Sequence, residues 1–407
     1  MRVAVVAGPG GAGTTTVAAL TAVAAAAQGR RTVLMSADPS VEAVLAVPAD
    51  ERPSDDPSSR RKLTVRRPDA LRMTTKSWPA VGGYLSSLGI DGDLDPGELA
   101  GIPGAGALAM LLEIAAVARS ADCEVLVVDV GSSVVSLLAL PESLGFLTDL
   151  LVPTPLRIIR QAGGRFSRPA AEPTDQQADR LGELLGELLL AQAVLCDPDI
   201  CSVHLVTGPE PLRMAAARRM IPLLALYGAG LGRVIVNRVP KRRAAIVGRV
   251  VADWPAEIVS IAEQAAEPTG AALDALAHTV FGDRNLLSVS VAPALAEARA
   301  DAVDDETGAF TMRIPLPLAD KAALDLARSD DDLLITVFSS TRRVELPSVL
   351  RRCAVTGATF ADDALTVGFL PDPDRWPQAL ATSPGGAASG VGATGAPDAP
   401  DAQGSVS

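Results

Sequence analysis

The feature that most constrains this chain is a glycine-rich segment at residues 8–13, placed between a short apolar run and a helix-forming segment. Residues 2–7 are mostly apolar and β-branched, which is typical of a buried strand in a parallel sheet. Residues 14–28 favour a helix, with Gly29 at its C-terminal cap. Backbone N–H groups of such a loop, together with the helix N-terminus, bind phosphate. We therefore predict a phosphate-binding loop.

The spacing of this loop fits the pattern G-x-x-x-x-G-K-[ST] except at one position, where Thr14 replaces the lysine. Thr15 stands where the pattern has the hydroxyl that binds Mg²⁺. We predict that ATP or ADP with Mg²⁺ binds, weakly, through Gly8, Gly10, Gly11, Ala12, Gly13, Thr14, Thr15 and Thr16. The alternative interpretation is that the loop has become a packing turn and that nucleotide binding is lost.

Strand-like and helix-like segments alternate along the first 280 or so residues. This alternation predicts an α/β fold with a doubly wound, mostly parallel sheet. The expected domain covers residues 1–300, with a helical insert at about 80–120 that several proline and glycine residues interrupt. The predicted strands are residues 32–36, 124–130, 202–207 and 232–239, and the predicted helices are residues 181–195 and 212–227.

The pattern changes near residue 311, where short apolar runs alternate with turn residues. Runs at 333–337 and 365–369 are typical of strands, so residues 311–370 are predicted to form a small all-β domain. Residues 371–407 are rich in Gly, Ala, Ser, Pro and Asp and have little to bury, which predicts a disordered tail.

The formal net charge of −12 disfavours nucleic acid and anionic lipid as partners. Two basic clusters, residues 60–67 and 241–243, are interpreted as a solvated loop end and a helix start, with an approach of 241–243 to the nucleotide as the alternative. No apolar run is long enough to cross a membrane, and the N-terminal glycines break any signal-peptide core. We expect a cytoplasmic protein with no stable membrane insertion.

Cysteine and histidine usage gives little support for metal or nucleophilic chemistry. The cysteines, at positions 123, 196, 201 and 353, have no zinc-site spacing and are expected to be reduced thiols. His204 lies in a predicted strand and His278 at the end of a helical run, so both are interpreted as structural.

The loop resembles the deviant phosphate loop of the ArsA-like ATPases, the family of arsenical pumps and tail-anchored-protein targeting factors, which has the form G-K-G-G-x-G-K-T-[ST]. Two positions depart from it, and both lose a lysine: Pro9 replaces the signature lysine and Thr14 the phosphate-loop lysine. In the family, the signature lysine reaches across a dimer to the partner's nucleotide. The resemblance thus implies a homodimer, or a heterodimer with an intact paralogue.

Further segments resemble the family in the same order, over roughly residues 1–370. By this resemblance, Asp38 positions the attacking water, Asp129 ends the strand before the second switch, and Asn237 contacts adenine. The polar signature of the second switch is largely missing at residues 130–138. Other similar segments are residues 207–212, 281–284, 315–317 and 342–347, the last two resembling a C-terminal small heat-shock-like domain.

Three functions remain open at this point. The first is a degenerate or pseudo-ATPase subunit that acts as a dimer in client handling or targeting. The second is an active ATPase that drives transport of an anion or a hydrophobic client, for which the apolar residues Leu108, Met110, Leu111, Leu112 and Ile114 are either client-facing or core. The third is a non-catalytic, chaperone-like scaffold. Because a phosphate-site lysine stabilises the transferring group, its loss favours the first.

Overall fold

The computed structural model describes residues 1–46, 62–87, 95–120, 122–151, 175–282, 300–304 and 308–375. The chain divides into two compact units. The first comprises Met1–Met220 and Ala229–Ala294, and the second comprises Ile221–Gly228 and Leu295–Ser407. Of the tail predicted at residues 371–407, Pro371 belongs to the last strand, and residues 376–407 lie outside the described residues.

The first unit is built on a seven-stranded sheet in which every described pairing is parallel. Its strand order is β3-β2-β4-β1-β5-β6-β7. The strands are β1 (Arg2–Ala7), β2 (Thr32–Ser36), β3 (Leu63–Arg66), β4 (Val125–Gly131), β5 (Cys201–Thr207), β6 (Leu231–Val239) and β7 (Glu257–Ala262). The chain winds first to one side of β1 and then to the other, so the loop after β1 lies at the switch point where such sheets bind ligands.

Helices cover this sheet, as the alternation in the sequence predicts. They are α1 (Thr14–Ala27), α2 (Ser40–Leu45), α3 (Ala70–Ser87), α4 (Pro96–Leu99), α5 (Ala105–Arg119), α6 (Val134–Leu151), α7 (Asp175–Cys196), α8 (Pro211–Leu226), α9 (Ala244–Val250) and α10 (Gly270–Phe281). The most buried is α1, whose alanines, Val17 and Leu20 pack into one core with the sheet and with Phe281 of α10. Small side chains let α1 approach the sheet closely, which fixes the loop that precedes it.

The doubly wound α/β fold is confirmed, and the predicted strands and helices agree with the structure to within one residue at most ends. The exception is α7, which begins six residues before the predicted start at 181. The sequence analysis did not predict α2, the first half of α3, α6 or the two outer strands, β3 and β7. The predicted helical insert corresponds to α3, α4 and α5, which lie between β3 and β4.

The second unit contains the all-β region, as predicted. Its strands are β8 (Ala300–Asp304), β9 (Ala309–Pro315), β10 (Leu324–Ser329), β11 (Asp332–Val337), β12 (Ser340–Glu345), β13 (Cys353–Ala361) and β14 (Ala364–Pro371). They form an antiparallel sheet of order β10-β11-β12 and a second of order β13-β14-β9-β8. Leu333, Ile335 and Val337 of β11 are buried at alternate positions, as a one-sided sheet requires.

Candidate functional site

The loop at residues 8–13 connects β1 to α1 at the carboxyl edge of the sheet. Gly11 and Gly13 have φ angles of 74° and 87°, in the left-handed region that favours glycine. Gly13 is the N-terminal cap of α1, and no side chain caps the helix there. The first N–H groups of a fourteen-residue helix are therefore left for an exogenous acceptor, which is the arrangement that binds an anion.

The loop is packed tightly against the neighbouring strands. A Cβ atom at Gly8 would lie 2.1 Å from the carbonyl oxygen of Val206 in β5. One at Gly13 would lie 2.4 Å from Nδ2 of Asn237 in β6. The amide of Gly8 also donates to the carbonyl of Gly131, the last residue of β4, at 2.9 Å. Three strands of the sheet thus fix the shape of the loop before any ligand binds.

Oxygen-bearing side chains converge beside the first turn of α1. The Thr15 hydroxyl Oγ1 lies 3.4 Å from Oδ2 of Asp38, within hydrogen-bond distance. Ser36 Oγ donates to Oδ2 of Asp129 at 2.8 Å and accepts from the backbone N–H of Asp38 at 3.1 Å. Mg²⁺ prefers one or two carboxylates together with hydroxyl, water and phosphate oxygens. The predicted Mg²⁺ residue, Thr15, and both predicted acids are brought together here, and their donor set suits Mg²⁺ with phosphate.

The two carboxyl groups differ in their ionisation. A backbone hydrogen bond from Ser40, at 2.8 Å, is the main reason that the pKa of Asp38 lies below its ordinary value. Asp129 is buried, and loss of solvation raises the pKa of its carboxyl; the nearby charge of Asp38 raises it further, while bonds from Thr15, Ser36 and Gly131 oppose the rise. A Mg²⁺ ion between them would favour the charged form of both acids.

Asn237 braces the loop from the β6 side. Its Nδ2 donates to the carbonyl of Ala12 at 3.0 Å, and its Oδ1 accepts from the N–H of Arg238 at 2.9 Å. The side chain is buried, and both its amide nitrogen and its amide oxygen make hydrogen bonds to the backbone. Its predicted contact with adenine stays a prediction.

Two guanidinium groups near the loop were not predicted from the sequence. Arg213, in the first turn of α8, donates from Nη1 to the carbonyl of Gly11 at 2.9 Å. Arg238 has a left-handed φ of 57°, and its Nη2 lies 3.5 Å from Oε1 of Glu267 and 3.9 Å from the position of a Cβ at Gly13. The family-like segment at 207–212 ends just before Arg213, which was the available signal in the sequence.

The remaining candidates lie elsewhere. His204 is fully buried in β5, and Ser202 Oγ lies 3.2 Å from its Nε2. Burial and the charge of Arg233 lower the pKa of His204 to about 3, so it is neutral and structural. Cys123 precedes β4, Cys196 ends α7, Cys201 begins β5 and Cys353 begins β13, and the described residues contain no cluster of three or more metal-ligating side chains. The 241–243 run forms a turn of 3-10 helix that leads into α9, confirming a helix start.

The described basic side chains of the other cluster have partners within the protein. Lys62 donates to the carbonyl of Gly29 at 2.6 Å, Arg66 pairs with Glu113 at 3.3 Å, and Arg67 pairs with Glu42 at 2.8 Å. Arg60 and Arg61 lie outside the described residues. In the described part of the chain, no helix is both long and apolar enough to cross a bilayer.

The apolar residues of the helical insert lie mainly in the core. Met110, Leu111 and Ile114 of α5 are buried, and Leu108 and Leu112 are half-buried. A groove of about 480 Å³ beside them, among α3, α5 and α7, is lined by charged side chains as well as apolar ones, including Arg72, Lys76 and Glu183.

Comparison with known proteins agrees with this architecture. The family model described as "Anion-transporting ATPase" matches residues 1–246, and the model described as "HSP20-like domain found in ArsA" matches residues 307–369. A protein of Streptomyces coelicolor is 33% identical over 394 residues, covering 93% of this chain and 100% of its own length. A protein of Mycobacterium tuberculosis is 28% identical, covering 92% of this chain and 97% of its own length.

A more distant relative carries a functional name. A protein of Aquifex aeolicus, provisionally named arsenical pump-driving ATPase 1, is 22% identical over 406 residues, covering 90% of this chain and 99% of its own length. The loop after β1, the oxygen cluster at Thr15 and the two domain matches point the same way. The chain belongs to the ArsA family of P-loop ATPases and carries the HSP20-like domain found in that family.

Proposed function

We propose that this chain binds ATP and ADP with Mg²⁺ at the loop after β1 and, alone, hydrolyses ATP very slowly at most. The observation that carries the proposal is the cluster of Thr15, Asp38 and Asp129 beside a loop in which Thr14 occupies the lysine position. The parts that hold phosphate and Mg²⁺ are present, whereas the side chain that stabilises the transferring phosphoryl group is missing.

Loss of the phosphate-loop lysine should reduce ATP turnover more than nucleotide binding. Removing one preorganised donor from a comparable site costs about 100- to 1000-fold in rate. Phosphoryl transfer depends almost entirely on positioning and charge stabilisation, so turnover is the property most exposed to this loss. Backbone N–H groups and Mg²⁺ remain to support ground-state binding. The chain is therefore best described as a degenerate ATPase subunit.

The test is calorimetric titration of MgADP and MgATP into the full-length protein. We expect saturable binding that weakens about tenfold or more in Thr15→Ala, since a charge-assisted contact contributes about 1.5–3 kcal/mol. Thr75→Ala, an exposed threonine of α3, is the matched control and should bind as the wild type does. If neither heat nor thermal stabilisation appears up to millimolar nucleotide, the proposal is wrong.

We further propose that the working unit is a dimer. Pro9 cannot donate charge across an interface, so a homodimer would lack the lysine at both nucleotides. A heterodimer with a paralogue that keeps the lysine would restore it at this chain's site. ATP turnover of the mixture that exceeds the sum of the separate proteins would support this arrangement. Strictly additive rates, with no heterodimer in light scattering, would contradict it.

Among the described residues, neither α5 nor the cysteines favour metalloid cargo or a hydrophobic client. The most buried apolar residues of α5 are assigned here to the core, because Met110, Leu111 and Ile114 are each no more than 5% exposed. Metalloid binding requires clustered thiols, and the described residues contain no group of three or more metal-ligating side chains.

A further inference from the structure

The loop that replaces a lysine-bearing phosphate loop has no cation of its own. Residues 8–16 contain neither lysine nor arginine. A nucleotide's phosphate tail carries several negative charges, and their binding in a partly dry site is costly unless a positive charge compensates them. A compensating positive charge must therefore come from another part of the fold.

Arg213 is placed to do so. It lies in the first turn of α8, and its Nη1 donates to the Gly11 carbonyl at 2.9 Å. Its Nη2 lies 3.2 Å from where a Cβ at Gly11 would stand, so the guanidinium lies directly against the exposed crest of the loop. The Arg213 side chain is 37% exposed, which leaves it accessible to a ligand.

The approach to this position is kept open by a glycine. A Cβ at Gly208 would lie 2.2 Å from Oε2 of Glu210 and 3.1 Å from Cδ of Arg213. Any side chain at 208 would therefore push against the stem of Arg213. Glu210 itself lies 3.6 Å from Nη1, an ion pair in which both side chains are well exposed and which therefore holds the arginine only weakly.

The chemistry of guanidinium suits the task. It has five N–H donors and stays charged at every working pH. The bond to Gly11 uses one donor, and the others remain for phosphate oxygens, to which arginine binds in a fork. Arg238, on the β6 side, is a weaker candidate for binding phosphate. Its Nη2 donates to Glu267 and makes no hydrogen bond to the loop in the described residues.

We propose that Arg213 supplies, within the same chain, the positive charge that the loop lost with Thr14 and Pro9, by binding the phosphate tail of the nucleotide. This inference rests on the proposed nucleotide binding. The competing explanation is that Arg213 only braces the Gly11 backbone. The two differ in what they predict for ligands with different numbers of phosphates.

The experiment is calorimetry on the full-length protein with AMP, MgADP and MgATP. The variant is Arg213→Gln, which removes the charge and carries a shorter, neutral amide donor. We expect MgATP affinity to fall about 10- to 100-fold, the range for a lost charge-assisted hydrogen bond, while AMP affinity changes less than about threefold. Arg219→Gln, an exposed position on the same helix, is the control and should match the wild type.

A rescue variant separates charge from folding. Thr14→Lys in the Arg213→Gln background returns a cation to the loop and should restore MgATP affinity. Equal losses for AMP and MgATP, or no rescue, would mean that Arg213 is a brace and would overturn the proposal. So would unchanged binding in Arg213→Gln, or a loss confined to Arg238→Gln. If the wild-type protein binds no nucleotide, both the proposed function and this inference are wrong. If the wild type binds and Arg213→Gln binds with the same affinity, only this inference is wrong.

Discussion

Ser36 and Asp129 face each other at the carboxyl ends of β2 and β4, where Ser36 Oγ donates to Asp129 Oδ2 at 2.8 Å. The two residues are register partners in the sheet, so the hydrogen bond is set by strand pairing rather than by a flexible loop. This arrangement buries the carboxyl group of Asp129. Burial disfavours its charged form, and the pKa of Asp129 is raised for that reason.

Asp129→Asn should therefore stabilise the protein without ligand. Because the folded pKa is raised, ionisation of Asp129 lowers stability as pH rises through its ordinary value of 3.8 toward the folded value, and the loss is complete above that. The gain from Asn should grow over this window and then stay constant at neutral pH. We expect a higher Tm than that of the wild type, measured by thermal unfolding at pH 7 without Mg²⁺. A lower Tm at pH 7 would contradict the prediction.

Gly8→Ala and Gly10→Ala form a matched pair in the same loop. A Cβ at Gly8 meets a backbone carbonyl at 2.1 Å, whereas a Cβ at Gly10 has nothing within 4 Å. We expect Gly8→Ala to cost about 3 kcal/mol or more and Gly10→Ala to stay within about 0.5 kcal/mol. Urea unfolding of the ligand-free proteins measures both. Similar midpoints for the two variants would show that the loop yields more easily than the structure indicates.

Asn237→Ala removes both contacts that the amide makes, with the Ala12 carbonyl and the Arg238 N–H. The side chain is only 6% exposed, so water cannot readily replace them. The expected cost is about 1–3 kcal/mol in the free energy of unfolding, even with no nucleotide present. Gln264→Ala, whose exposed amide donates to the Ala262 carbonyl at 2.8 Å, should be nearly neutral. If the stability loss appeared only with nucleotide bound, Asn237 would be a ligand contact and not a brace.

His204 should make stability depend on pH in the mildly acidic range. Its pKa is about 3 in the folded protein and about 6.5 when exposed, so below pH 6.5 the unfolded chain binds a proton that the folded chain does not. Stability is therefore lost as pH falls, by up to about 1.4 kcal/mol per pH unit. Between pH 6.5 and 5, His204→Gln should lose about 2 kcal/mol less than the wild type in urea titrations.

Most of the sheet was predictable because its inner strands are covered on both faces. In β4, for example, Val125 to Val128 are all fully buried, and a continuous apolar run marks such a strand. The two strands that sequence reasoning missed, β3 and β7, are the two edges of the sheet. Their burial alternates, and polar residues such as Thr64 and Ser260 interrupt the apolar run. Because β3 and β7 lie at the edges of the sheet, they lack the continuous apolar run that predicts a buried strand.

The candidate site was predicted where motif and geometry coincide and missed where they do not. Thr15 lies after the loop that follows β1, Asp38 follows β2 and Asp129 lies near the end of β4, and parallel strands bring their carboxyl ends to one edge. Arg213 follows no such rule. Its place at Gly11 depends on how α8 packs beside the loop and on the space left by Gly208, which are properties of the folded chain.

The bond between Asn237 and Ala12 joins residues 225 positions apart. A ribosome that adds about 5–20 residues per second needs roughly 11 to 45 s to travel from one to the other. During that time the newly made loop lacks β6, the strand whose Asn237 donates to the carbonyl of Ala12. The loop at residues 8–13 is thus completed long after it is synthesised, because Asn237 must first be added and folded into β6.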